Sequence, residues 1–173
     1  MTTEMPVTIA PETPDQVEVH VLLEQADRRS AGLYPAESRH GLDVATLLAL
    51  RVRFLVARQD GRAVGCGGYA ADGDGTAELK RIFVAAEARG LGIGRALLQA
   101  LEADAARAGI RLLRLETGVK SAEALGLYRR FGYRETGPFG AYGPDPLSVF
   151  MEKVLPGEGP ALAHSADPAA RGR

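Results

Sequence analysis

The chain has no tryptophan, a single cysteine, three histidines and no long apolar run. Each shortage excludes something. One thiol, Cys66, cannot close an intrachain disulfide, so the fold must rest on its core, and a reducing, cytoplasmic setting is expected. Histidines at 20, 40 and 164 lack metal-ligand spacing, and no metal is expected. No segment approaches the roughly 20 apolar residues that cross a bilayer, and Met1 is followed by polar residues rather than by the charged and apolar regions of an export signal. Neither a membrane nor an export route is therefore expected. Charge of one sign is also missing: 21 Lys and Arg against 22 Asp and Glu leave a formal charge of -1, with no broad basic field to hold nucleic acid. These exclusions leave a small molecule as the partner.

What is present is enough apolar residue for one substantial core. A domain of about 150 residues buries roughly 70% of its unfolded surface. Residues 1–155 read as one domain, and 156–173, rich in Pro, Gly and Ala, as a flexible C-terminal tail without chemistry. A β-prone run at Val7 to Ala10 precedes Thr13-Pro14-Asp15-Gln16, which offers an N-cap, a first-turn proline and a glutamine at the third position, and so predicts a helix start there. That helix fades near Ser30-Ala31-Gly32, and a short second one covers Asp43 to Leu50. Arg53 to Arg58 and Ala63 to Ala70 flank the turn residues Gln59-Asp60-Gly61-Arg62 and predict a hairpin. Thr76 to Val84 alternates Ala77, Leu79, Arg81 and Phe83 with Glu78, Lys80, Ile82 and Val84, a strand pattern. Ile93, Leu97, Leu98, Leu101, Ala105 and Ala108 then mark one face of a long helix closed by Gly109. A strand at Arg111 to Thr117, a helix at Ala122 to Phe131 and a last strand at Leu147 to Val154 follow, within an expected order β-α-α-β-β-β-α-β-α-β-β that has one strand more than the runs named.

Between the third of the central strands and the long helix stand Arg89-Gly90-Leu91-Gly92-Ile93-Gly94. Glycines there let backbone approach an anion, and the first N–H groups of a helix are unpaired and partly positive, so an anion site is expected. The spacing departs from the dinucleotide fingerprint G-x-G-x-x-G, and Gly94 is followed by Arg95-Ala96 rather than the Lys-Ser/Thr of a P-loop. What remains is R-x-x-G-x-G, with Arg89, Gly92 and Gly94.

In that context the loop strongly resembles the acetyl-CoA loop of the GNAT superfamily of N-acetyltransferases. A second segment, Ala124-Leu125-Gly126-Leu127-Tyr128-Arg129-Arg130-Phe131-Gly132-Tyr133, is similar to the family's A-x-x-x-Y-x-x-x-G-F/Y run. The resemblance extends from about Phe54 to Lys153. It implies an α/β GNAT fold: a mixed, mostly antiparallel sheet of about six or seven strands flanked by about four helices and splayed between strands 4 and 5. It also implies acetyl-CoA as co-substrate in that gap, with no metal. The backbone of Ile82, Phe83 and Val84 would bind pantetheine, and the N–H groups of Arg89, Gly90, Leu91, Gly92, Ile93, Gly94 and Arg95 the pyrophosphate. Arg130 is either a further phosphate contact or a solvated surface residue. Ser121 stands where the family often has Asn, which puts a side-chain contact to the cofactor there in doubt.

Attack of an amine on a thioester needs an unprotonated amine, a polarised carbonyl and a proton for the departing thiolate. The resemblance assigns Tyr128 as general acid, against its reading as a core aromatic. It assigns Glu78 as general base, directly or through water, although other members replace this residue or use a water chain. Tyr34, Glu37, Arg39 and His40 lie in a polar loop that the family topology brings near the acceptor, and Glu37 or Arg39 would meet the charged end of an amino-acid-like or polyamine-like substrate; a solvated loop is the other reading. Cys66, in an apolar strand, reads as a small buried hydrophobe. The segment from Gly137 to Lys153 looks like the ending of small bacterial members that act on small molecules, with a loop that closes over the acceptor. The expected function is direct transfer of acetyl to the primary amine of a small molecule. Protein amines are a second substrate option, and a catalytically idle acyl-CoA-binding regulatory module is the alternative from another class. A homodimer is the oligomer the resemblance allows.

Overall fold

The computed structural model describes residues 6–157, so most of the predicted tail lies outside the described residues. Seven strands and four α-helices follow the predicted order: β1 (Val7–Pro11), α1 (Val17–Leu33), α2 (Val44–Ala49), β2 (Arg53–Gln59), β3 (Arg62–Ala71), β4 (Thr76–Val84), α3 (Ile93–Arg107), β5 (Leu112–Gly118), α4 (Ala122–Arg130), β6 (Arg134–Thr136) and β7 (Ser148–Val154). Short 3₁₀ turns occupy Ala36–Ser38 and Ala86–Ala88. The sheet runs β1-β2-β3-β4-β5-β7-β6, and its one parallel pair is β4 with β5.

That pair holds the site open. Its register covers only Thr76, Ala77 and Glu78 against Leu112, Leu113 and Arg114. Beyond it, β4 stays paired with β3 and β5 with β7 while the two strands separate. The β5-facing edge of β4 from Leu79 onward is thus left without a strand partner. The β3–β4 register adds a second irregularity, since Cys66 faces Phe83 and Gly68 faces Lys80, placing Arg81 and Ile82 together opposite Gly67. This is a β-bulge. Arg81 adopts φ 57°, and a Cβ on Gly67 would stand 2.9 Å from Ile82 Cγ1, so glycine is needed there. The strict alternation predicted for 76–84 therefore holds only up to the bulge.

On β3, Gly65 and Gly67 lie against Leu97 and Leu101 of α3, while Cys66 points the other way and joins a core with Val19, Leu22 and Leu23 of α1. The two helices accordingly cover opposite faces. Leu98, Leu101, Leu113, Leu125 and Met151 centre the second core, which ties α3 and α4 to β5 and β7.

The first helix starts later than predicted. Its N-cap is Gln16, with no side-chain cap bond. Thr13 Oγ1 instead accepts from the Asp15 N–H at 3.1 Å, and the Gln16 side chain accepts from Arg58 at 2.9 Å and donates to Glu12 at 3.1 Å. A tertiary ion-pair network around Arg58 takes the residues that a local capping box would have used. By contrast, Asp43 caps α2 as a side chain should, accepting from the Thr46 N–H at 2.8 Å.

Candidate functional site

A cleft of about 870 Å³ opens where β4 and β5 part, within the range of small-molecule sites. At one end lies the glycine loop. Gly90 and Gly92 have φ of 80° and 76°, a conformation that L side chains rarely adopt, and a Cβ on either would meet nothing within 4 Å, so these positions present bare backbone. Gly92 caps α3 without any side-chain bond, and the first turn carries no acidic residue. The first intrahelical bond runs from the Ala96 N–H to Gly92 O at 3.0 Å, so the N–H groups of Ile93, Gly94 and Arg95 precede the ladder. An uncompensated positive helix end of this kind suits a phosphate. Arg89, Arg95 and Arg130 all line the cleft and carry no ion pair among the described residues; the Arg89 guanidinium stacks over the Phe83 ring at 5.9 Å. Leu91 is the exception in the loop: 48% exposed, it does not line the cleft.

Tyr128 also lines the cleft, held on α4 with only 7% exposure and edge-on to Tyr133 at 5.7 Å. Its hydroxyl has no hydrogen-bond partner among the described residues. Burial, helped by the nearby charge of Glu116, pushes the phenol's pKa upward, so it stays protonated at neutral pH. Ser121, the N-cap of α4, lines the cleft as well, but its hydroxyl lies 3.2 Å from that of Tyr34.

Glu78 lines the cleft, but one of its carboxylate oxygens is held by two neighbours. Its carboxylate pairs with Lys80 at 2.6 Å and accepts a short hydrogen bond from Tyr142, whose hydroxyl also accepts from Lys80 Nζ at 2.8 Å. The sequence reading overlooked Glu116 on β5, two residues past the last β4–β5 pair. This carboxylate lines the cleft and has neither hydrogen bond nor ion pair among the described residues. Burial raises its pKa to about 7, with Glu78 and Asp145 adding to the rise and Lys80 opposing it. The signal was present in the alternation Leu113-Arg114-Leu115-Glu116, in which a carboxylate occupies a strand just before a helix that carries a candidate acid.

At the other end, Arg39, His40 and Tyr34 line the cleft and Glu37 does not. Tyr34 is 8% exposed, and its hydroxyl accepts the Lys120 N–H at 2.9 Å, which makes it a tie between α1 and the β5–α4 junction rather than a free donor. His40 packs edge-on against Tyr142 at 5.1 Å, so the loop before β7 does fold over this end. Among the described residues, no group of three or more His, Cys, Asp or Glu side chains is arranged to hold a metal, and no helix is long and apolar enough to cross a membrane.

The sequence profile of the Acetyltransferase (GNAT) family matches residues 21–133. The chain is 54% identical over 150 residues to an IAA acetyltransferase of Azospirillum brasilense, covering 86% of this chain and 98% of that one. A solved structure from Klebsiella pneumoniae, assigned as an acyl-CoA N-acyltransferase, superposes with a TM-score of 0.74 at 38% identity, over 86% of this chain and 97% of the other. The PaiA N-acetyltransferase of Thermoplasma acidophilum, solved with coenzyme A, shares the fold with a TM-score of 0.66 at 20% identity, over 87% and 99% of the two chains.

Proposed function

Because the chain belongs to the GNAT acetyltransferase family and is an acetyl-CoA-dependent acyltransferase, we propose that it moves acetyl directly from acetyl-CoA to the primary amine of a small molecule, in a ternary complex, with Glu116 as general base and Tyr128 as general acid. One observation carries the reading: an unpartnered carboxylate and an unpartnered buried phenol share the cleft where β4 and β5 part. A module that only bound acyl-CoA would need the glycine loop and neither of these groups. Similarity to a relative named for IAA supports a small acceptor over a protein one, and the absence of a disulfide framework fits a cytoplasmic setting.

The pyrophosphate sits on the α3 N-terminus and its loop, with Arg89, Arg95 and Arg130 adding charge. Pantetheine, which carries two amides, runs along the unpaired edge of β4 at Ile82 to Val84 as a strand would. Backbone N–H groups on that edge polarise the thioester carbonyl. Glu116 takes a proton from the acceptor's ammonium group, and the freed nitrogen attacks the carbonyl carbon. As the C–N bond forms and the C–S bond breaks, Tyr128 protonates the leaving sulfur and the surplus amide proton passes to solvent. Glu78, tied to Lys80 and Tyr142, shapes the acceptor end instead of acting as base.

The test is release of coenzyme A thiol against a panel of amines. Turnover with a subset of small amines supports the reading. Tight acetyl-CoA binding without thiol release for any amine would leave a binding module in its place.

A further inference from the structure

The acceptor end of the cleft is unevenly charged. Arg39, after the Ala36–Ser38 turn and beside His40, and Arg29 on α1 both line the cleft with exposed side chains, and neither guanidinium has a hydrogen bond or ion pair among the described residues. The other cations there are matched: Lys80 with Glu78 at 2.6 Å, and Arg81 with Asp27 at 2.7 Å. On the acidic side, Asp145 is held by Ser38 Oγ at 2.6 Å and the Leu147 N–H at 2.8 Å and does not line the cleft, and Glu37 faces solvent outside it. Glu123 lines the cleft from the first turn of α4, where the helix's own N–H groups offset its charge. Glu116 alone is left as an unmatched carboxylate facing the place of reaction.

A polyamine would need a second acidic contact at its far end, and this wall offers cations instead. We propose that the acceptor is a carboxylate-bearing amine, its amine directed to Glu116 and its carboxylate held by Arg29 and Arg39. This rests on the acetyl-transfer reading and narrows it. Guanidinium groups suit the role because their planar forks bind carboxylates in two-point fashion and stay charged at any working pH. Ala26 and Leu33, one turn either side of Arg29 on the same face of α1, line the cleft together with the adjacent Ser30 and give the arginine a fixed wall to project from.

The experiment compares amino acids with their decarboxylated counterparts, such as phenylalanine with phenethylamine and 4-aminobutyrate with propylamine, in the wild type and in Arg29→Ala, Arg39→Ala and the double variant. The expected result is a higher kcat/KM for the carboxylate-bearing member, and a fall of tenfold or more in that ratio in the double variant while acetyl-CoA affinity holds. Equal use of both members, or a ratio the double variant leaves in place, overturns the proposal. Calorimetric titration of the same compounds into coenzyme A-loaded protein separates the two levels. If nothing turns over but carboxylates bind, and bind more weakly to the double variant, the carboxylate site stands and the transfer reading falls. If neither member binds, the carboxylate site falls too.

Discussion

Tyr128 and Glu116 show how burial sets a proton's availability. A phenol whose pKa is pushed upward is held in its protonated form at neutral pH, the form that the proposed role of Tyr128 as acid to the leaving sulfur requires. Tyr128→Phe should lower kcat by about 100-fold, the usual scale for a lost acid, while changing acetyl-CoA affinity less, as steady-state kinetics with a binding titration would show. Glu116, with a pKa near 7, should place a rising limb in the pH profile of kcat/KM at about that pH. Glu116→Gln should remove the limb, whereas a base at Glu78 would leave it in place. The same shift bears on stability. A carboxyl raised from 4.5 to about 7 on folding binds its proton more tightly when folded, so its contribution is full below about 4.5 and is lost as pH rises through 7. Glu116→Gln should therefore melt higher than the wild type at pH 8, by about 1–2 kcal/mol after allowing for the water on its cleft side, and match it near pH 5.

Among the elements, the loop before α3 and the bulge in β4 position the chemistry. Gly92→Glu should abolish acetyl-CoA binding in a titration, since it puts a carboxylate at the positive helix end and a side chain at φ 76°. The bulge depends on a tie across the fold. Arg81, 9% exposed, donates to Asp27 at 2.7 Å and to Leu23 O at 3.1 Å, leaving its Nε unpartnered. Asp27→Ala should cost about 1–3 kcal/mol in chemical denaturation by stranding that guanidinium, and raise KM for acetyl-CoA because Ile82 lies in the bulge and Phe83 and Val84 follow it directly. These elements differ in how readable they were. Tyr128 was singled out only by the resemblance, whereas helix and strand order and the turn before the long helix were legible because periodicity and turn chemistry are local. The bulge was not, because it arises from a register between β3 and β4. Nor was the true start of α1, because Gln16 answers to Arg58, 42 positions away.

For the molecule as a whole, a seven-stranded sheet held open at one pair is a scaffold with its binding energy still to be gained. In the proposed placement acetyl-CoA bridges both halves of the splay, so saturating it at about 100 times Kd should add about 2.7 kcal/mol and raise Tm by about 5–10 °C, measurable by calorimetry. Which carboxylate is left unpaired in the cleft was not legible in the chain, for Glu78 and Glu116 stand on adjacent strands and only the fold shows that Lys80 and Tyr142 claim the first. Glu37 and Arg39 likewise read alike in sequence, yet only Arg39 turns into the cleft. The cysteine with which the chain is so sparing has a practical use. Cys66 is fully buried between α1 and the sheet, and burial pushes its thiol up to about 12. A disulfide dye added to follow coenzyme A release will therefore see no background from the folded enzyme, and the slow colour it develops without substrate will time the spontaneous opening of the sheet.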